Sequence, residues 1–215
     1  LIAGLSESSI SGDKNDTSRG GTDIWLVKLS PSGILEWQKT IGGNEDDFVN
    51  SIIVANDGGY LLGGASFSDI SGEKTENSRG GSDIWILKIN ESGTIEWQKT
   101  IGGTGADGVT SLCSAGNNGY ILGASTYQSG ISGEKTVADF GEIDFWVVKI
   151  DNLGTIIWQS LYGGIYDDEI TSVSETTTGD LLLCGHSNSP VSGNKTEDSM
   201  SWDFWVIKTD FLGSI

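Results

Sequence analysis

Four runs of strand-forming residues recur in fixed order along this chain. Between residues 44 and 103 they are "FVNSIIVAN" (48–56), "YLLGGAS" (60–66), "DIWILKIN" (83–90) and "TIEWQKTI" (94–101), rich in β-branched and aromatic residues and bounded by Gly, Asn and Asp. The links "DGG" (57–59) and "ESG" (91–93) are short enough for hairpin turns in which Gly takes a positive φ at no steric cost. The remaining link, "FSDISGEKTENSRGGS", is a long loop. The run "IWIL" is apolar at consecutive positions, the pattern of a strand covered on both faces rather than one.

The unit is written more than once. "SRGGTDIWLVKLSPSGILEWQKTIGG" (18–43) and "SRGGSDIWILKINESGTIEWQKTIGG" (78–103) share 18 of 26 positions, and weaker copies follow at 143–164 and 202–215. Trp25, Trp85, Trp146 and Trp205 fall 60, 61 and 59 residues apart. A period of this length without helical patterning, with four antiparallel strands to a unit, predicts an all-β β-propeller made of four-stranded blades of about 60 residues. The blades fall at approximately 1–43 (partial), 44–103, 104–164 and 165–215 (partial), about three and a half in a single domain over 1–215. An open array leaves bare strand edges and blade faces. The expectation is therefore a segment of a longer propeller of roughly six to eight blades; the alternative is a four-bladed ring closed by its terminal blades.

The wording "DGGYLLGG…SGEKTENSRGGSDIWILKINESGTIEWQKTIGG" resembles the propeller repeats of large secreted and surface proteins of Bacteroidota, many of which carry a C-terminal type IX sorting domain. The resemblance covers essentially the whole chain. It implies a propeller fold and an extracellular or cell-surface location, and it implies no reaction.

Composition narrows the partners. The 215 residues suffice for a sizeable core, and 32 Gly against 2 Pro beside plentiful Trp, Ile, Leu and Val describe a turn-rich globular chain. Thirty acidic residues against twelve basic ones give a net charge of −18, which repels nucleic acid and anionic membranes. No apolar run reaches the ~18 residues of a membrane span. No basic segment followed by an apolar one opens the chain, and "LIAGLS" matches the interior of a later unit, so the pattern is expected to start upstream. Cys113 and Cys184 stand in strands without a CxxC spacing and are expected to be buried free thiols.

The candidate chemistry is mostly periodic. Lys14, Lys74, Lys135 and Lys195 lie in the long loop and Arg19 and Arg79 just after it. Lys28, Lys88, Lys149 and Lys208 end the third strand, and Lys39 and Lys99 stand in the fourth. A catalytic centre is a single asymmetric constellation, so residues copied with the unit read as architecture. The same holds for Asp23, Asp83, Asp144 and Asp203, expected in a turn or a cross-blade hydrogen bond, and for Asp47, Asp107 and Asp168, expected to cap the entry to the innermost strand. The pairs Asp46–Asp47 and Asp167–Asp168 do not suit glycosidase chemistry, because neighbours in a strand point to opposite faces.

His186 breaks the repeat but has no phased Ser, Cys or metal-ligand partner, and one His with two separated Cys supplies no tetrahedral zinc set. The loop "SGDKNDTSRGG" (11–21) offers Asp13, Asn15, Asp16 and Thr17 as oxygen donors for calcium, without EF-hand spacing and without the same carboxylates in the other copies. A solvated, self-hydrogen-bonded loop is the preferred reading. The "GG" and "SRGG" motifs lack the GK[ST] of a phosphate loop, and Asn15-Asp16-Thr17 and Asn194-Lys195-Thr196 match the N-x-S/T pattern. Trp25/Trp37, Trp85/Trp97 and Trp146/Trp158, with Trp205, are expected to pack between blades, while Trp202 stands outside the pattern as a sugar-stacking candidate.

The sequence thus points to a non-catalytic extracellular display, adhesion or ligand-binding module with no catalytic, cofactor or metal residues. Its long loops (6–22, 66–82, 126–143 and 187–202) would meet a polysaccharide or another surface protein. The alternative is a carbohydrate-active or quinoprotein-like enzyme with its centre on the propeller axis.

Overall fold

The computed structural model describes residues 1–55, 57–116, 119–128 and 130–215. They form four separate antiparallel sheets. The first holds β1 (Ile2–Ser6), β2 (Asp23–Leu29) and β3 (Leu35–Ile41), and the second β4 (Asp47–Val54), β5 (Tyr60–Ser66), β6 (Asp83–Ile89) and β7 (Ile95–Ile101). The third holds β8 (Asp107–Ser114), β9 (Tyr120–Tyr127), β10 (Ile143–Ile150) and β11 (Ile156–Tyr162), and the fourth β12 (Asp168–Glu175), β13 (Leu181–Ser187) and β14 (Asp203–Thr209). Strands are hydrogen-bonded in chain order within each sheet, so every unit is a meander. The ends read from sequence agree with the second sheet to within two residues, and Asn56, read as a strand end, lies outside the described residues. Gly58 and Gly93 adopt φ of 88° and 74° in the two hairpin turns, as those links require.

Each sheet stacks on the next through an apolar layer. Ile24, Leu26 and Ile41 of the first sheet meet Tyr60, Leu62, Trp85 and Leu87 of the second. Ile84, Ile86 and Ile101 of the second then meet Leu122, Trp146 and Val148 of the third, and Phe145, Val147 and Tyr162 of the third meet Leu183, Trp205 and Ile207 of the fourth. The middle strand β6 is therefore buried at every residue, as its unbroken apolar run requires.

The first strands β4, β8 and β12 make the most extensive contacts with the preceding sheet. Each carries a bulge, after Val49, Val109 and Ile170 respectively. Asn50 Nδ2 donates to the Val109 carbonyl at 2.8 Å, and Thr110 Oγ1 to that of Ile170 at 3.0 Å. Farther out, the indoles of Trp37, Trp97 and Trp158 lie against Gly93, Gly154 and Gly213, in the hairpin turn of the following sheet, where a Cβ would stand 2.9, 2.9 and 3.0 Å from the ring. The outer face of the fourth sheet lacks such cover among the described residues: Phe204 and Val206 are 89% and 60% exposed where their counterparts Phe145 and Val147 are fully buried.

Trp85 and Trp146 are the largest fully buried side chains of these layers. Trp85→Ala is expected to destabilise the chain by ~3–5 kcal/mol through the cavity it opens, read by urea denaturation; a loss below ~1 kcal/mol would mean that the ring is not packed between sheets.

Candidate functional site

The polar groups of the repeat converge at the junctions between sheets. A strand that ends a sheet leaves backbone groups which must find partners. At Gly42, Gly102 and Gly163, just past β3, β7 and β11, the partners come from the long loop of the following sheet. The carbonyls accept from the backbone N–H of Glu73, Glu134 and Asn194 at 3.0, 3.0 and 3.2 Å. The N–H groups donate to the side chains of those same residues, to Glu73 Oε2 at 3.1 Å, Glu134 Oε2 at 3.3 Å and Asn194 Oδ1 at 2.9 Å. Ser71, Ser132 and Ser192 complete the contact by accepting from the backbone of Asn44, Thr104 and Ile165 at 2.9–3.0 Å. Gly72, Gly133 and Gly193 bring the loop this close, because a Cβ there would sit 2.1–2.2 Å from the preceding sheet's glycine carbonyl and φ is +54° to +58°.

The lysine that ends each Ser-Gly-x-Lys turn folds inward. Lys14, Lys74, Lys135 and Lys195 are all buried, whereas the loop residues around them are mostly exposed. Lys74 Nζ donates to Ser66 Oγ at 2.9 Å and Ser78 Oγ at 3.2 Å and lies over the Trp85 indole, 5.8 Å from its centroid. Lys135 is paired with Asp139. The outer face of each loop is held by the Trp-Gln dipeptide of the fourth strand. Gln38, Gln98 and Gln159 accept from Trp25, Trp85 and Trp146 Nε1 at 3.0–3.1 Å, and their Nε2 atoms donate to the loop carbonyls of Asp13, Glu73 and Glu134.

Two aspartates per junction are buried with these lysines. Asp47, Asp107 and Asp168 accept from the N–H of Gly43, Gly103 and Gly164 at 2.6–2.7 Å, the capping role read from their spacing. Asp23 and Asp83 accept from the backbone of Arg19 and Arg79 at 2.7 and 2.6 Å, and Asp144 from Phe140 at 2.9 Å, so this series closes turns in its own loop. Their Oδ1 atoms face Gly42, Gly102 and Gly163, where any Cβ would stand 1.6–1.8 Å away, and have no hydrogen-bond partner among the described residues. Desolvation by burial raises the carboxyl pKa of Asp47, Asp83 and Asp107, and takes that of Asp144 to about 6. The neighbouring carboxylates Asp107 and Asp168 push Asp83 and Asp144 the same way. For Lys74 the order is reversed: burial lowers its pKa, while Asp47 and Asp83 oppose the shift.

The remaining candidates are scattered. Asp46 accepts from Thr22 N at 2.7 Å and Asp167 from Asn188 Nδ2 at 3.4 Å, each turned away from its buried neighbour. Asp16 takes the N–H of Thr40 at 3.2 Å and stands 3.5 Å from Arg19, and the Asp13 carbonyl is held by Gln38, so these oxygens of the calcium-candidate loop are engaged by Arg19 and by the adjacent strand β3. Among the described residues no three His, Cys, Asp or Glu side chains converge as a metal set. His186 is exposed, its ring 6.1 Å from that of Phe204. Both cysteines are free and half-buried rather than buried; burial pushes the Cys113 thiol up to about 11. Trp202 is 48% exposed. Lys88 sits at the opposite end of its strand between Asp57 and Glu96 at 2.8 and 2.7 Å.

One series escaped the sequence reading. Ile10, Ile70, Ile131 and Val191, each just before the Ser-Gly turn, are 57–69% exposed in every copy. The recurring aliphatic-Ser-Gly wording was the available signal.

The fold and junctions define an all-β chain assembled from a repeated, blade-like sheet unit, and among the described residues no helix is long and apolar enough to cross a membrane. No family model matches the chain. It is similar to the regulatory protein FlaEY of Caulobacter vibrioides, 25% identical over 214 residues that cover 90% of this chain and 22% of that protein. The chain thus spans about a fifth of that relative's length.

The raised carboxyl values fix a sign for pH dependence. A carboxyl that binds its proton more tightly folded than unfolded adds stability as pH falls through its folded value. Stability is therefore expected to increase between pH 8 and pH 5, by about 1.4 kcal/mol for Asp144 alone. Asp144→Asn should flatten this rise in urea titrations at the two pH values; a wild-type chain less stable at pH 5 than at pH 8 would contradict the assignment.

Proposed function

We propose that the chain is a β-propeller segment of about three and a half blades that serves as a non-catalytic display and binding module of an exported or surface protein. The observation that carries this reading is the row of exposed aliphatic side chains, Ile10, Ile70, Ile131 and Val191, at one phase of the long loops. An exposed aliphatic group gains nothing from folding, and a rigid scaffold that presents one from each unit suits contact with an extended partner. The junction chemistry supports the non-catalytic part, since its Asp, Glu, Lys and Gln side chains dock sheets and recur with them. The contacts of β4, β8 and β12 with the preceding sheet support the propeller, and the wording shared with exported Bacteroidota repeats supports a place outside the cell. The relative's name, a regulatory protein, is compatible with a binding role.

A polysaccharide and surface-protein array probed with the purified chain is expected to show retention without product release. Replacing Ile10, Ile70, Ile131 and Val191 together by Ser should abolish retention while leaving stability within ~0.5 kcal/mol per site. Saccharide release by the chain, or the absorbance of a bound quinone, would overturn the non-catalytic reading.

A further inference from the structure

Three junctions are built to one plan, so a place where the plan is abandoned at several positions together is informative. Beside the latch of reciprocal glycine bonds, the first and third junctions hold a cleft between the last strand of one sheet, the descending limb of its own loop and the second hairpin of the next sheet. At the first junction this cleft, about 430 Å³ in volume, is lined by Asp16, Arg19, Lys39 and Glu73, and Arg19 crosses it with ion pairs to Glu73 at 2.6 Å and Asp16 at 3.5 Å. The counterparts at the second junction are Glu76, Arg79, Lys99 and Glu134, joined as Arg79–Glu134 at 2.5 Å and Lys99–Glu76 at 3.6 Å. At the third junction the same four positions are Val137, Phe140, Ser160 and Asn194, and Thr40 and Ile41 have become Leu161 and Tyr162. In a chain of net charge −18, one cleft has lost every charge at these positions.

The third cleft, with no ion pair across it, has a volume of about 580 Å³ against about 430 Å³ at the first, both within the range of small-molecule sites, and Gly213 and Ile215 also line it. Its principal polar groups are already engaged. Asn194 Oδ1 accepts from Gly163 N at 2.9 Å, its Nδ2 donates to the Leu161 carbonyl at 3.0 Å, and Tyr162 Oη donates to the Gly213 carbonyl at 2.6 Å. A charged ligand would leave water for a wall that offers it no counter-charge. Phe140, 41% exposed, presents an aromatic ring where the other junctions present a guanidinium. We infer that the cleft between the third and fourth sheets is a binding site for an uncharged compound bearing an aromatic ring, packed against Val137, Phe140 and Leu161. The site is distinct from the loop rim of the display role and stands whether or not that rim binds.

The test compares three probes that share one ring, benzyl alcohol, benzoate and benzylammonium, titrated into the whole chain and followed by residue-resolved NMR. The expected result is saturable binding of benzyl alcohol with Kd below about 10 mM, with shifts centred on Val137, Phe140, Leu161 and Tyr162. The two charged probes should bind at least tenfold more weakly. The double substitution Val137→Glu with Phe140→Arg restores the wording of the first two junctions and should weaken benzyl alcohol at least tenfold. Absence of saturation, shifts centred elsewhere, equal binding of the charged probes or an unaffected double variant would each overturn the inference. The shift map on the unaltered chain decides the matter even if the double variant does not fold. Failure of the array experiment would leave this result untouched, and failure here would leave the loop rim untouched.

Discussion

Sheets stacked face to face are held by apolar area, which is non-directional, so something else must fix how one sheet sits on the next. Here it is a reciprocal pair of backbone hydrogen bonds. A glycine past the end of each last strand offers a carbonyl and an N–H, and one residue in the next loop satisfies both, with its own N–H and its side chain. The bond pair has a single geometric solution because glycine stands on both sides of it, and a Cβ at Gly42 or Gly72 would collide with buried neighbours. The apolar layer between sheets, to which Trp85 and Trp146 contribute the largest buried side chains, holds the sheets together, and this bond pair sets the register.

The latch also explains a concentration of buried charge that would otherwise be costly. Aspartates and a lysine are drawn into each junction because the turn around the glycine pair exposes N–H groups that only a carboxylate close by can cap, and the lysine offsets the resulting field. The charges balance imperfectly, since Oδ1 of Asp23, Asp83 and Asp144 faces a glycine Cα and not a donor. The result is an assembly whose polar interior serves docking and whose capacity for specific recognition is pushed to what the copies do not need, the loop rim and the one cleft whose charged positions became Val137, Phe140, Ser160 and Asn194.

Much of this was legible in the sequence. The four strands per unit, the turn glycines at Gly58 and Gly93 and the two-sided burial of "IWIL" follow from local rules that tertiary packing did not override. The capping role of Asp47 and the packing of Trp85 could be read from their phase. The burial of Lys74 could not be, because a lysine in a Gly- and Ser-rich loop carries the signature of a solvated turn, and only the neighbouring sheet encloses it. The double use of Glu73 was hidden for the same reason: its partner stands thirty-one residues away, in another sheet. The third cleft was present as substitutions at Val137, Phe140 and Ser160, but their common significance needs the fold that brings them together.

Hydrogen exchange at the loop amides tests the latch most directly. Glu73, Glu134 and Asn194 lie in surface loops yet donate to a preceding sheet, whereas Asp13, at the same phase in the first copy, makes no such bond among the described residues. The account predicts that the first three exchange as slowly as the strand amides of β6 and that Asp13 exchanges freely. Four amides exchanging at one fast rate would contradict it.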